Sequence, residues 1–187
     1  MLRSSKPSCK LVEDGFTNCK IGSKNGVERG LMTDVMTGTV QGIYVAPKGS
    51  LEMERVEEIR AIEGCGLEGD RYCEGTGFWT PYGDVCEVTL IESEDLDEIE
   101  EEIGLRVNDG QHRRNIITSG IRLRELRGQR FQVGEVVLEY DRPRPPCKHI
   151  QDITEPGMTR ALKGRGGHCA RVVRGGVIRA GDEILPA

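Results

Sequence analysis

The sequence predicts a mainly β protein, a closed or nearly closed barrel with a few peripheral helices. From Thr37 onward the 187-residue chain breaks into short runs rich in Val, Ile and Tyr, cut by glycine or polar turns. Helical periodicity is confined to a few short stretches. Many short strands with few helices argue for a sheet that closes on itself.

Taken in order, residues 1–36 are polar and without periodicity, and they predict a loosely packed N-terminal extension. Strands are expected at TVQGIYVA (39–46), VEEIRAI (56–62) and VCEVTLIE (85–92). They continue at RNIIT (114–118), RFQV (130–133), EVVLEY (135–140), HCARVV (168–173) and VIRAGDEIL (177–185). Gly134 and the Gly175-Gly176 pair read as hairpin turns. SEDLDEIEEEIG (93–104) reads as an amphipathic helix, with Ser93 as N-cap, Leu96, Ile99 and Ile103 on one face and Gly104 as the stop. Weaker helical signals fall at LRELRG (123–128) and MTRALKG (158–164).

Composition removes several function classes. No apolar run approaches the roughly 18–20 residues of a membrane span, so no membrane partner is expected. The opening MLRSSKPSCKLV is basic and holds serines, but Pro7, Glu13 and Asp14 interrupt any targeting pattern, and a cytoplasmic protein is expected. Seven cysteines without a C-x-x-C pair predict reduced thiols rather than a disulfide framework.

The net charge of −5 hides an asymmetry: seven carboxylates fall in residues 93–104, where no Lys or Arg occurs. By contrast, residues 105–150 hold ten Lys or Arg against five Asp or Glu. An acidic outer face and a basic site facing an anion follow from this split. Only Phe131 and Tyr140 offer stacking surfaces in the basic stretch, so a small anionic cofactor or substrate fits better than nucleic acid.

Four segments could carry chemistry. GCGLEGDRY (64–72) presents Asp70 and Arg71 after three glycines, and a structural turn closed by an Asp–Arg bond is its simpler reading. In HRRNIITSGI (112–121), Arg113, Arg114, Asn115 and Thr118 share a short strand and its lead-in. An extended backbone would send Arg113 and Arg114 to opposite faces, so only one of them should face a pocket. In RPRPPCKHI (142–150) two prolines stiffen the approach to Cys147, and Arg142, Arg144, Lys148 and His149 would favour its thiolate, a nucleophile or soft metal ligand. GRGGHCARVVRGG (164–176) offers backbone N–H groups beside Arg165 as an anion nest, then a strand carrying Arg171. Cys147, His149, His168 and Cys169 have Cys₂His₂ composition, but His168 and Cys169 are adjacent, which argues against zinc.

GLEGDRY, RRNIITSGI, the proline-flanked Cys147 and GRGGHCARVVRGGVIRAGDEI, in that order, resemble the signature of the MOSC domain, the C-terminal domain of molybdenum cofactor sulfurases. The resemblance runs from Thr37 to Ala187, dividing the chain into the extension 1–36 and a MOSC domain 37–187. It implies a MOSC-type β-barrel with Cys147 as the catalytic residue and metal ligand. It implies a pyranopterin molybdenum cofactor at the family's motif positions Asp70, Arg71, Arg114, Asn115, Thr118 and Arg171, and Arg113, Lys148 and Arg165 join them as candidate cofactor-binding residues from the cationic segments read above. Asp182, in the closing Gly-Asp pair, is assigned to a structural turn.

Two functions follow from the resemblance. One is a molybdenum-dependent reductase of N-hydroxylated compounds. The other is a sulfur carrier holding a persulfide on Cys147 for sulfuration of a cofactor or metal–sulfur cluster. The chain shows no pyridoxal-phosphate desulfurase, flavin or iron–sulfur segment. Electrons would therefore come from a separate donor, or sulfur from a separate cysteine desulfurase.

Overall fold

The computed structural model describes residues 36–84 and 86–187. The N-terminal extension to residue 35, with Cys9 and Cys19, lies outside the described residues. Among the described residues eleven strands form: β1 Gly38–Val45, β2 Glu54–Val56, β3 Glu58–Ile62, β4 Gly66–Leu67, β5 Val88–Glu92, β6 Ile116–Ser119, β7 Arg130–Val133, β8 Val136–Pro143, β9 His168–Arg174, β10 Gly176–Arg179 and β11 Glu183–Pro186. Three α-helices accompany them: α1 Ser93–Ile103, α2 Lys148–Ile153 and α3 Met158–Ala161.

The barrel closes. Its strand order is β11-β7-β8-β9-β5-β6-β1, and β1 returns to β11 through Gly38↔Ile184 and Thr39↔Glu183. A seven-stranded closed sheet leaves no open edge along that circuit. β2 extends β1 outside the circuit, and β10, β3 and β4 make a second small sheet.

Alternation on the strands builds two cores. Val88 and Leu90 of β5, Ile116 of β6, Phe131 of β7 and Leu138 of β8 fill the barrel interior. The opposite faces send Ile91 and Ile117 outward to meet Leu96 and Ile99 of α1 and Met158 and Ala161 of α3. β5 and β6 run parallel with α1 crossing between them, so every residue of β5 is buried.

The mainly β reading and the 93–103 helix hold, with local corrections. Glu92, not Ser93, is the N-cap of α1, while Gly104 ends it in the left-handed conformation (φ 72°). Ile103 is exposed. The 56–62 run splits because Val56 pairs with Ile43 of β1, whereas residues 58–61 pair with β10. The 177–185 run also breaks. Asp182 accepts the Arg179 N–H at 2.8 Å and turns the chain between β10 and β11, the structural role expected of it.

Gly134 does turn a hairpin, β7 to β8, with Val133 opposite Val136. Gly175-Gly176 does not: β10 pairs with β3, so that turn carries the chain from the barrel to the small sheet. Residues Leu123–Leu126 form a 3₁₀ turn, and α2 lies where no helix is expected from the sequence. The expectation of reduced thiols fails at Cys65 and Cys73, which form a disulfide (Cα–Cα 4.7 Å).

Gly166 and Gly167 do a packing job. A Cβ on Gly167 (φ +80°) would collide with the Leu90 carbonyl oxygen, and one on Gly166 would lie 2.5 Å from the Arg144 oxygen. Gly164 (φ +81°) has nothing within 4 Å of such a Cβ. Gly167→Ala should therefore cost about 2–4 kcal/mol from strain plus overpacking, and Gly164→Ala only about 1 kcal/mol of strain. Urea unfolding of the two variants checks the ranking.

Candidate functional site

A cleft of about 220 Å³ opens beside the barrel where three segments converge. The loop side contributes Ser50, Tyr72, Phe78, Trp79 and Asp84, the floor Arg71, Arg113 and Arg114, and the far wall Arg144 to Cys147 with His149, Ile150 and Ile153.

The far wall follows from its prolines. β8 carries a register irregularity between Tyr140 and Arg142, after which it stays paired with β9 through Arg142↔Cys169 and Pro143↔His168. Pro143, Pro145 and Pro146 keep the exit extended, and the Arg144 N–H anchors it to the Gly167 carbonyl at 2.8 Å. Cys147 then sits as N-cap of α2 (φ −126°, ψ 168°), a free, half-buried thiol on the cleft. Its carbonyl accepts the Thr159 hydroxyl at 3.3 Å. His149 stacks on Phe78, ring centres 3.5 Å apart, and its Nε2 lies 3.0 Å from the Ser50 hydroxyl.

The floor is cationic. Arg113 has φ 59°, so the backbone is not extended there and both Arg113 and Arg114 face the cleft, against the expectation that only one would. Among the described residues, the two non-glycine residues with positive φ are Ser50 and Arg113, and both line this cleft. Such strain persists where surrounding structure over-determines it, commonly at functional sites.

Arg114 donates to the carbonyls of Gly166 (2.5 Å), His112 (3.1 Å) and Arg144 (3.2 Å), and Arg113 to that of Leu51. Neither lies within ion-pair distance of a carboxylate among the described residues. Burial lowers both guanidiniums to about 10, so they stay charged at neutral pH. Asp84 pairs with Arg144 and Arg142. Burial alone would raise its carboxyl, but those two arginines bring it below the usual carboxylate range.

Behind the floor lies a buried polar network. Asp70 accepts from Ala46 N–H (3.1 Å), Arg71 (2.8 Å), Asn115 (3.0 Å) and Tyr72 N–H (3.2 Å). Asn115 accepts the Thr89 hydroxyl at 2.7 Å and donates to the Tyr44 carbonyl at 3.1 Å. Four guanidiniums over two carboxylates leave the cleft with an excess of positive charge beside a thiol on its wall.

The sequence profile described as the MOSC domain matches residues 79–185. The chain belongs to the MOSC domain family. Among solved structures, the MOSC barrel is similar to the YuaD protein of Bacillus subtilis (TM-score 0.66, 22% identity, 80% of this chain and 94% of that one). It is also similar to YiiM of Geobacillus stearothermophilus (TM-score 0.62, 19% identity, 80% and 75%) and YiiM of Escherichia coli (TM-score 0.59, 19% identity, 80% and 69%). At these identities the likeness is one of fold. No match is found among curated proteins.

Within this MOSC domain the expected site residues divide. Cys147, Arg71, Arg113 and Arg114 line the cleft, and Asp70 and Asn115 support it from behind. Thr118 is buried in the barrel wall, donating to the Ile91 carbonyl at 3.3 Å. Lys148 is exposed and turned to Asp152 (2.9 Å). Arg165 pairs with Glu98 (3.3 Å) and Glu102 (2.8 Å) on α1, and Arg171 with Glu139 (2.8 Å). None of these four lines the cleft.

The Cys₂His₂ set is dispersed too: His168 bonds the Tyr140 hydroxyl (2.9 Å), and Cys169 lies 2.7 Å from Cys86. Tyr72, Phe78, Trp79 and Asp84 are not among the expected site residues, and Arg144 is expected only as a cation beside Cys147. One signal was available, since Tyr72, Phe78, Trp79 and Tyr82 are half of the chain's eight Phe, Trp and Tyr.

Two measurements check the electrostatics. Asp70→Ala leaves the buried Arg71 charge and the Asn115 amide unpaired and should cost about 3–5 kcal/mol in denaturant unfolding. Burial, reinforced by Arg114, Arg113 and Arg71, pushes the His112 imidazole down to about 3, and burial pushes His168 down to about 4. The unfolded chain protonates both near the ordinary value of about 6.5. It therefore binds protons that the native state refuses, and these two groups lower stability as pH falls from there toward 3–4. Imidazole NMR titration should find both rings neutral at pH 5.

Proposed function

We propose that this MOSC protein binds the molybdenum cofactor in the cleft, with the Cys147 thiolate as the protein ligand to molybdenum. Its reaction in this reading is reduction of N-hydroxylated compounds with electrons from a separate donor. The observation that carries it is the pair Arg113 and Arg114, buried cations that share the cleft with a free thiol and lack a carboxylate partner among the described residues.

The residues present fit the group. A guanidinium offers a planar fork to phosphate, and a thiolate is a soft metal donor. Arg113, Arg114 and Arg144 would hold the phosphate end, Cys147 the metal, and the rings of Phe78 and Trp79 give the pterin an apolar face. Among the described residues no three His, Cys, Asp or Glu side chains converge on a metal-sized site, so the remaining metal ligands would arrive with the cofactor. When bound, the cofactor supplies a metal able to change oxidation state, the chemistry that reduction of an N–O bond needs.

The chain's own residues do the rest. Pro145 and Pro146 fix the approach of Cys147, and the arginine floor offsets negative charge in a partly dry cleft. Burial and the Arg113 charge lower the His149 imidazole, so it stays neutral at pH 7 and supports proton transfer at Nε2 beside the Ser50 hydroxyl. We extend the domain to residues 37–187, because β1 is a barrel strand. No described helix is long and apolar enough to cross a membrane. A cytoplasmic location is part of the proposal, and there the Cys65–Cys73 bridge would be exposed to reduction.

A second reading has support in the half-buried, reachable thiol of Cys147. As a sulfur carrier, Cys147 would attack the terminal sulfur of a persulfide on a cysteine desulfurase. A new S–S bond forms on Cys147 as the donor leaves as a thiolate.

Molybdenum content of wild type and Cys147→Ala, purified from a host that makes the cofactor, separates the two. Near-stoichiometric metal in wild type, lost in the variant, is expected. Metal absent from both, with added sulfur on Cys147 by mass spectrometry, would replace the reductase with the carrier.

A further inference from the structure

We infer that His112 is a positioning residue, whose ring nitrogen holds the turn that brings Arg113 and Arg114 into the same cleft. The inference rests on the reading of that cleft as an anion site.

His112 is fully buried, and its Nδ1 accepts the Arg114 backbone N–H at 2.9 Å. The ring proton is therefore on Nε2, which has no hydrogen-bond partner among the described residues and meets the Tyr44 ring edge-on at 5.3 Å. A buried N–H without a partner costs roughly 1–3 kcal/mol, a penalty that an apolar side chain would avoid. The acceptor at Nδ1 is the property that distinguishes histidine from such a side chain here.

A side-chain acceptor bonded to the N–H two residues on has the shape of an Asx turn. It closes around Arg113 and stabilises the left-handed conformation (φ 59°) that an arginine adopts only at a cost of about 1–2 kcal/mol. Without that turn the residues alternate, and the two guanidiniums part to opposite faces.

The consequence reaches further along the floor. With the turn in place, the Arg113 carbonyl accepts Nη2 of Arg71 at 3.1 Å, and the His112 carbonyl accepts Nη1 of Arg114 at 3.1 Å. Three of the four cleft arginines are thus aimed by one peptide geometry. Burial and the surrounding arginines keep the ring neutral, which preserves the Nδ1 lone pair as an acceptor.

The test compares wild type, His112→Asn, which retains an acceptor, and His112→Leu, which fills space without one. On the labelled full chain, NMR reads the coupling across the Arg114 N–H···Nδ1 bond in wild type and the φ of Arg113 in all three. Binding of inorganic pyrophosphate is measured by calorimetry. We expect the coupling in wild type and left-handed Arg113 in wild type and Asn but not Leu. Pyrophosphate affinity should fall at least about tenfold in Leu, the worth of one lost charged contact, and recover in Asn.

No coupling in wild type, or left-handed Arg113 in Leu, overturns the inference. So does equal pyrophosphate affinity in all three where binding occurs. The wild-type coupling decides the matter even where Leu does not fold. Wild type that shows the coupling but binds no pyrophosphate sinks the anion-site reading, while the Arg113 conformation still decides the role of His112.

Discussion

Asp70, with no solvent exposure, takes hydrogen bonds from the residue just past the end of β1, from Arg71 and Tyr72 of its own loop, and from Asn115 at the entrance to β6. Asn115 carries the connection on to Thr89 of β5. The cleft floor is therefore fastened to three barrel strands through one carboxylate. A buried ion pair adds little net stability, but its directional bonds fix where Arg71 points. The barrel supplies rigidity, and this network transfers it to the arginines.

The charge arrangement has a graded logic. Arg71 and Arg144 each have a carboxylate, so they contribute shape and hydrogen bonds with their charge largely offset. Arg113 and Arg114 are held by carbonyl oxygens, which stabilise a cation without cancelling it. The uncompensated charge is thus concentrated at two adjacent residues. Arg165 is instead paired with Glu98 and Glu102 on the acidic face of α1.

Much of the barrel was legible in the sequence, because alternation and glycine punctuation follow from local backbone geometry. The strands at 130–133 and 168–173 and the helix at 93–103 read directly. What could not be read was partner choice: nothing in VEEIRAI says that its first residue pairs with β1 and the rest with β10. The site was half legible. Cys147 and Arg113–Arg114 stood out by residue type and setting, while Lys148, Arg165 and Arg171 looked equivalent until their nearby carboxylates were known. The positive φ at Arg113 defeated the alternation argument, since a non-glycine left-handed residue has no composition signal.

The stack between Phe78 and His149 joins segments far apart in the chain, one from the loop side and one from α2. At that point the two sides of the cleft are joined by side chains, this stack and the Ser50–His149 hydrogen bond, rather than by a backbone ladder. Parting those rings costs on the order of 0.5–1.5 kcal/mol, far less than opening a strand pair of a closed barrel. In the proposed reading, a change of width there needs only side-chain rotation, with the arginine floor left in place.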